Sequence, residues 1–149
     1  MTTSRQEVFD GQSLSRARAQ FGPVQEFLDR VERVITTQFD SRCRSERREM
    51  HQTAQSTFEV GFRLGDKEGA LLSLTFLVTG QNADTLLLQC GESRDLDYGK
   101  FDQRVYKLDA LEPLKKAVKA KIHSCMQALD RRSSSVRPLT AGLQDLEIA

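Results

Sequence analysis

The chain has 149 residues, of which 38% are hydrophobic and 29% charged, a composition typical of one folded domain with polar ends. Its 22 lysines and arginines balance 21 acidic residues to a net charge of +1, which argues against long-range attraction to nucleic acid or anionic lipid. No run approaches the roughly 18 apolar residues that a membrane-spanning helix needs, so we expect no membrane partner.

The three cysteines are odd in number and far apart, and they form no CxxC pair. With only two histidines in the chain, no zinc-binding spacing is present, and we expect no metal and no cofactor. The first twenty residues contain no apolar core of a secretory signal peptide. We therefore expect a cytoplasmic protein. No GxxxxGK[ST] or GxGxxG motif supports nucleotide binding.

Residues 1–20 are polar and lack sustained periodicity, which predicts a flexible N-terminal arm. An amphipathic helix is predicted next, with Pro23 in its first turn. Its apolar residues recur in steps of three and four: Val24, Phe27, Leu28, Val31, Val34, Ile35 and Phe39. The row thins after Phe39, so the helix either projects beyond the core and frays toward Gln55, or breaks near Asp40 and restarts. We favour the long helix.

The period then changes from helical to alternating, which is typical of half-buried strands. Four such segments follow one another: STFEVGFRLG, ALLSLTFLVT, TLLLQCGE and FDQRVYKL. The first two are joined by GDKEG and the next by GQNAD, turns of the kind that hairpins use. Consecutive strands with short connections predict an antiparallel meander.

A second helical row begins at Leu111 and ends at Leu129, and residues 133–149 show no period and are predicted to be a disordered tail. Residues 21–132 therefore form a single domain. The predicted fold class is α+β, a two-layer sandwich of the order helix, four-stranded antiparallel meander, helix.

The two faces of the predicted sheet differ. One carries the core residues Phe58, Val60, Phe62, Leu64, Leu72, Leu74, Phe76, Val78, Leu86, Leu88 and Cys90. The other is mostly polar but carries Leu71, Leu77 and Leu87, which we interpret as a partner surface. Cys43 and Met50 continue the helical row beyond Phe39 and would extend that surface. The first hypothesis is thus a non-catalytic protein-interaction module, self-associating as a homodimer through the sheet face and the first helix.

A second hypothesis is a module that binds polyanions, either nucleic acid or a phosphorylated ligand. Residues 100–132 contain 9 basic and 4 acidic residues. If the helices lie side by side, seven cations would form one patch: Arg42, Arg44, Arg47, Arg48, Lys115, Lys116 and Lys119. Nucleic acid is possible but not favoured, because aromatic residues do not interleave with these cations.

A third hypothesis is a small-ligand sensor with a pocket between sheet and helices, where Cys90, Tyr106 and His123 would be the polar groups. Catalysis is not expected, and no catalytic residue is assigned. His51 and His123 lack a nucleophile at a suitable spacing, since Cys125 is two residues from His123 and such neighbours do not face each other on a helix.

Overall fold

The structure is a computed structural model that describes residues 2–38, 43–54, 57–79, 82–92 and 101–132. The described elements follow the chain in one order: α1 (Thr2–Gln38), β1 (Arg44–Ala54), β2 (Thr57–Asp66), β3 (Gly69–Thr79), β4 (Asn82–Glu92), β5 (Phe101–Lys107) and α2 (Glu112–Arg132). The predicted tail, residues 133–149, lies outside this description.

The five strands form one antiparallel sheet in the order β1-β2-β3-β4-β5, so each strand pairs with its neighbour in the chain. The predicted α+β arrangement with an antiparallel meander is therefore confirmed. The sheet has one strand more than the sequence predicts, because β1 lies in the segment that was assigned to the first helix. Both β1 and β5 are edge strands of the described sheet.

The core lies between one face of the sheet and the two helices. All eleven side chains that the alternating pattern places on the core face are buried. The helices contribute a matching set, including Phe21, Phe27, Leu28, Leu114 and Ile122, each exposed by 1% or less. The spacing of apolar residues in the helices and strands was enough to predict which face of the sheet is buried. Buried residues recur with the period of the element that carries them.

Helix α1 begins at Thr2, and the expectation that the first helix starts near Pro23 after an arm over 1–20 is wrong. Ala17 is buried and Leu14 packs against the core, so the buried row starts well before the proline. The row was missed because alanine is a weak hydrophobic signal among polar neighbours. Gly22 precedes the proline, and its missing Cβ removes one of the clashes that normally bars a helix before proline.

The long projecting helix is also wrong, because α1 ends at Gln38 and Arg44–Ala54 is strand β1. A helix over this segment would bury few apolar residues. As a strand, the segment pairs its backbone with β2 and leaves most of its charged side chains toward solvent, with Arg47 as the exception. The strand is rich in charged side chains, and its register shifts between Arg48 and His51 and again between Gln52 and Ala54. Both features are usual in an edge strand that resists further pairing.

The predicted hairpin between β2 and β3 is present, but its turn is shorter than the five residues of GDKEG. Asp66 pairs with Gly69, which leaves Lys67 and Glu68 as a two-residue turn. Gly69 has a φ of 146°, which only glycine adopts readily. The Asp66 Oδ1 atom accepts a hydrogen bond from the Glu68 amide at 2.9 Å. This is the local side-chain bond that makes aspartate common in turns.

Candidate interaction surface

The outward face of the sheet is covered by neither of the described helices. Both described helices pack against the opposite face, where the core cluster lies. We call this outward side the open face. It is formed by alternate residues of the strands, including Glu59, Gly61, Arg63, Ser73, Thr75, Leu77, Leu87, Gln89, Gln103 and Val105.

An apolar row crosses three strands of the open face. In the register of the sheet, Leu77 lies opposite Leu87 and Leu87 lies opposite Val105. The two leucines are half-buried, and Val105 is 60% exposed. Directly opposed side chains of an antiparallel sheet are within contact distance. The three residues therefore form one continuous apolar surface rather than isolated exposed residues.

A polar row lies beside it. Thr75 is opposite Gln89, which is in turn opposite Gln103. The Gln89 side-chain amide donates to the Oε1 atom of Gln103 at 3.2 Å. The row is uncharged, so it can be covered by another surface at a smaller desolvation penalty than an ionic row would incur.

Charged residues are concentrated where β1 and β2 meet. The His51 Nε2 atom lies 3.0 Å from Oε1 of Glu59, and the Arg48 Nη1 atom lies 4.0 Å from the same oxygen. Gly61 lies opposite Arg48, and its lack of a side chain helps form a depression of about 410 Å³ with Arg63 and Ser73 on its wall. The open face thus changes from charged at β1 to mostly apolar and uncharged at β3–β5, where Lys107 adds a charge at the end of β5.

Leu77 and Leu87 lie where the sequence predicted, but Leu71 does not. The expectation that Leu71 stands on the exposed face is wrong, because it is 5% exposed and belongs to the core cluster. The register pairs Leu64 with Leu72 and Gly65 with Ala70, which leaves Leu71 as the extra residue of a bulge. A bulge interrupts the alternation of faces, so both Leu71 and Leu72 are buried.

Cys43 and Met50 are not on a projecting helix. Cys43 is 6% exposed within the core cluster, and Met50 is a partly buried residue packed against it from β1. Both were expected to contact a partner because the segment was assigned to a helix. They are instead covered by the chain itself, so the partner surface expected at the end of the first helix is withdrawn.

The residues of the polyanion hypothesis are divided among different environments. Arg44 and Arg48 are exposed on β1, and Arg42 lies outside the described residues. Arg47 instead turns toward α1 and contacts Asp29 and Glu32. These two carboxylates offset its charge, so it contributes little to a basic patch.

The lysines of the same hypothesis lie along α2. The Lys115 Nζ atom is 5.7 Å from the centre of the Phe27 ring and 4.0 Å from Oε1 of Glu112. Lys116 is exposed and Lys119 is half-buried. The predicted patch of seven cations therefore does not include Arg47, and its Lys115 also contacts an aromatic ring and an acid.

The polar groups of the small-ligand hypothesis do not converge on one cavity. Cys90 is 2% exposed within the core, whereas His123 is exposed on the surface of α2. Tyr106 lines a shallow depression of about 590 Å³ beside α2, and neither of the other two residues is on its wall. The three side chains therefore give no support for a shared pocket between sheet and helices.

Val105 is the exposed residue that the sequence reasoning missed. It was placed in a predicted strand, but no face was assigned to that strand. Its alternation with Tyr106, which is buried, would have identified Val105 as outward-facing.

The described residues bring together no group of three or more histidine, cysteine or acidic side chains that could hold a metal ion. None of the helices described is both long and apolar enough to cross a membrane.

Comparison of the chain with protein-family models, with curated proteins and with solved structures gave no match.

Proposed function

We propose that this chain is a non-catalytic interaction module that pairs with a second copy of itself through the open face of its sheet. One observation carries the proposal: Leu77, Leu87 and Val105 form a continuous apolar row on the face opposite both described helices. A contiguous apolar patch on a protein surface is a common mark of an interaction site.

The size of the open face supports pairing of two sheets. Five strands spaced about 4.8 Å apart, over the seven-residue length of β5, give about 550 Å² per copy. Two copies would bury about 1,100 Å² in total, which is below the usual size of a specific interface and just above the lower bound of about 1,000 Å². We therefore expect a dimer of modest affinity.

The arrangement of the row also suits two-fold symmetry, in which the same surface serves both copies. With the symmetry axis along the row, Leu77, Leu87 and Val105 of one copy each meet the same residue of the other, and all five strands overlap. The uncharged pair Gln89 and Gln103 would lie close to the axis. The charged residues of β1 would lie at the rim, where ionic groups can remain hydrated.

A reducing compartment such as the cytoplasm is the proposed location. Cys43, Cys90 and Cys125 all lie in the described part of the chain and are buried as thiols. Burial in the core is the common state of cysteines in proteins of reducing compartments.

Sedimentation velocity over a range of concentrations tests the proposal. The unmodified chain should shift from monomer to dimer as its concentration rises. Leu87→Asp places a charge at the centre of the interface and should raise the dissociation constant by at least about ten-fold. Gln127→Asp adds the same charge on the exposed surface of α2 and should leave the dissociation constant unchanged.

Two results would overturn self-association. One is a chain that remains monomeric at tens of micromolar. The other is a dimer whose dissociation constant responds equally to Leu87→Asp and Gln127→Asp. Circular dichroism of each variant checks that the monomer keeps its fold.

A further inference from the structure

A second surface lies at the other side of the sheet, in the groove between edge strand β5 and helix α2. Its wall includes Arg104, Tyr106 and Lys107 from β5 and Pro113, Lys116 and Ala117 from α2. The groove has a volume of about 590 Å³ and is open to solvent along the strand. We call it the β5–α2 groove.

The groove is positively charged. Three cations line it, Arg104, Lys107 and Lys116, and its wall contains no acidic residue. Among the acids close by in the sequence, Asp102 accepts from the Lys121 Nζ atom at 3.3 Å and Glu112 lies 4.0 Å from Lys115. Asp109 is exposed between the wall residues Lys107 and Ala110, so the three cations outnumber one nearby acid. A ligand with negative charge would therefore find complementary groups here.

The floor of the groove is apolar and aromatic. Tyr106 is only 9% exposed, and the guanidinium of Arg104 lies 5.9 Å from the centre of the Tyr106 ring. Pro113 and Ala117 line the groove from α2. The groove can therefore accept an apolar side chain between the cations.

The strand beside the groove has backbone groups available for pairing. β5 pairs with β4 on one side, and no described strand pairs with it on the other. The outer edge of an antiparallel strand presents alternate N–H and C=O groups to a further extended chain. The other sheet edge, β1, is interrupted by register shifts and carries many charges, so it is a poorer template.

We propose that the β5–α2 groove binds an extended acidic segment of a partner protein, which adds to the sheet as a strand beside β5. Its acidic side chains would pair with Arg104, Lys107 and Lys116, and an apolar side chain would pack on Tyr106. An extended peptide fits better than a compact small molecule, because the groove is shallow and continues along the strand. This site shares Val105 with the open face, but it uses the free edge of β5 and helix α2, and it goes beyond the self-association proposed above.

Fluorescence anisotropy with the full chain tests the proposal. The probe is a fluorescein-labelled peptide of the same length as β5 in which glutamate and leucine alternate. Binding should be saturable and should weaken as salt is added, since the contacts are ionic and exposed. Lys116→Glu should weaken it by about three- to ten-fold. Lys67→Glu, the same charge change in the β2–β3 turn, should leave it unchanged.

A second peptide tests strand addition separately from charge. Methylation of alternate backbone nitrogens removes the donors that would pair with β5 while the peptide keeps its charge. This peptide should bind at least about five-fold more weakly than the unmodified one.

Several outcomes would overturn the proposal: no binding, equal binding of a peptide with lysine in place of glutamate, or equal weakening by Lys116→Glu and Lys67→Glu. Equal binding of the methylated peptide would overturn strand addition. A change of sedimentation in Lys116→Glu without a change in peptide binding would assign the groove to a second copy of the chain. Lys116 is exposed, so circular dichroism should confirm that its replacement preserves the fold.

Discussion

The Nη1 atom of Arg47 on β1 lies 3.3 Å from Oε1 of Glu32 on α1. The same nitrogen also contacts Asp29, one helical turn away. Arg47 is on the helix-facing side of an edge strand, and its side chain is 18% exposed. A charged residue therefore occupies a position where an interior strand would carry an apolar one, and it connects the first helix to the strand that follows it.

Replacement of Arg47 should weaken this connection. Arg47→Ala removes both ion pairs and the packing of the arginine stem, and we expect the free energy of unfolding to fall by about 1 kcal/mol, since the acids remain partly hydrated. Urea denaturation measures the change. Arg48→Ala is the matched control on the same strand, with a side chain that is 65% exposed, and its effect should stay below about 0.5 kcal/mol. Equal losses in the two variants would contradict the role assigned to Arg47.

Pro23 offers a direct test of where α1 begins. It lies inside the helix, exposed, with buried Phe21 and Val24 on either side. A proline in a helix interior removes a hydrogen bond and costs up to about 3 kcal/mol. Pro23→Ala should therefore raise the free energy of unfolding by about 1–3 kcal/mol. If the helix started at Pro23, the same substitution would leave the free energy of unfolding unchanged or slightly lower, because proline is favourable in a first turn.

Leu71 belongs to the core and Leu77 to the open face, so the two leucines should differ in their contribution to stability. Leu71→Ala should lower the free energy of unfolding by about 2–4 kcal/mol, because the leucine is buried and the substitution leaves a cavity. Leu77→Ala should lower it by about 1 kcal/mol or less in the monomer, since the side chain is half-buried. Denaturation at low protein concentration isolates the monomer. Equal losses would mean that the bulge does not bury Leu71.

Most of the core could be predicted from alternation alone. Phe58, Val60 and Phe62 are inward-facing because a regular strand turns every second side chain to the same side. The same rule failed at Leu71, where an extra residue enters β3 opposite β2. A bulge of this kind depends on how two strands pair, and a single strand's sequence contains little sign of it.

The candidate surfaces were harder to predict than the core. Leu77 and Leu87 follow from their strands, but their contact with Val105 depends on the register of three strands, which the sequence does not specify. The β5–α2 groove joins residues of a strand and of a helix whose relative placement is also a tertiary property. Of its three cations, only Lys116 was among the residues predicted to bind an anion.

By itself the sequence determined the class of fold, the hairpin at Asp66–Gly69 and the face of the sheet that is buried, because periodicity and turn chemistry are local. Only the tertiary structure decided whether Arg44–Ala54 is a helix or a strand. This segment has too few apolar residues to favour a helix or a strand by burial. Its conformation is decided by the unpaired edge of β2, which offers backbone hydrogen bonds to a chain with little apolar surface of its own.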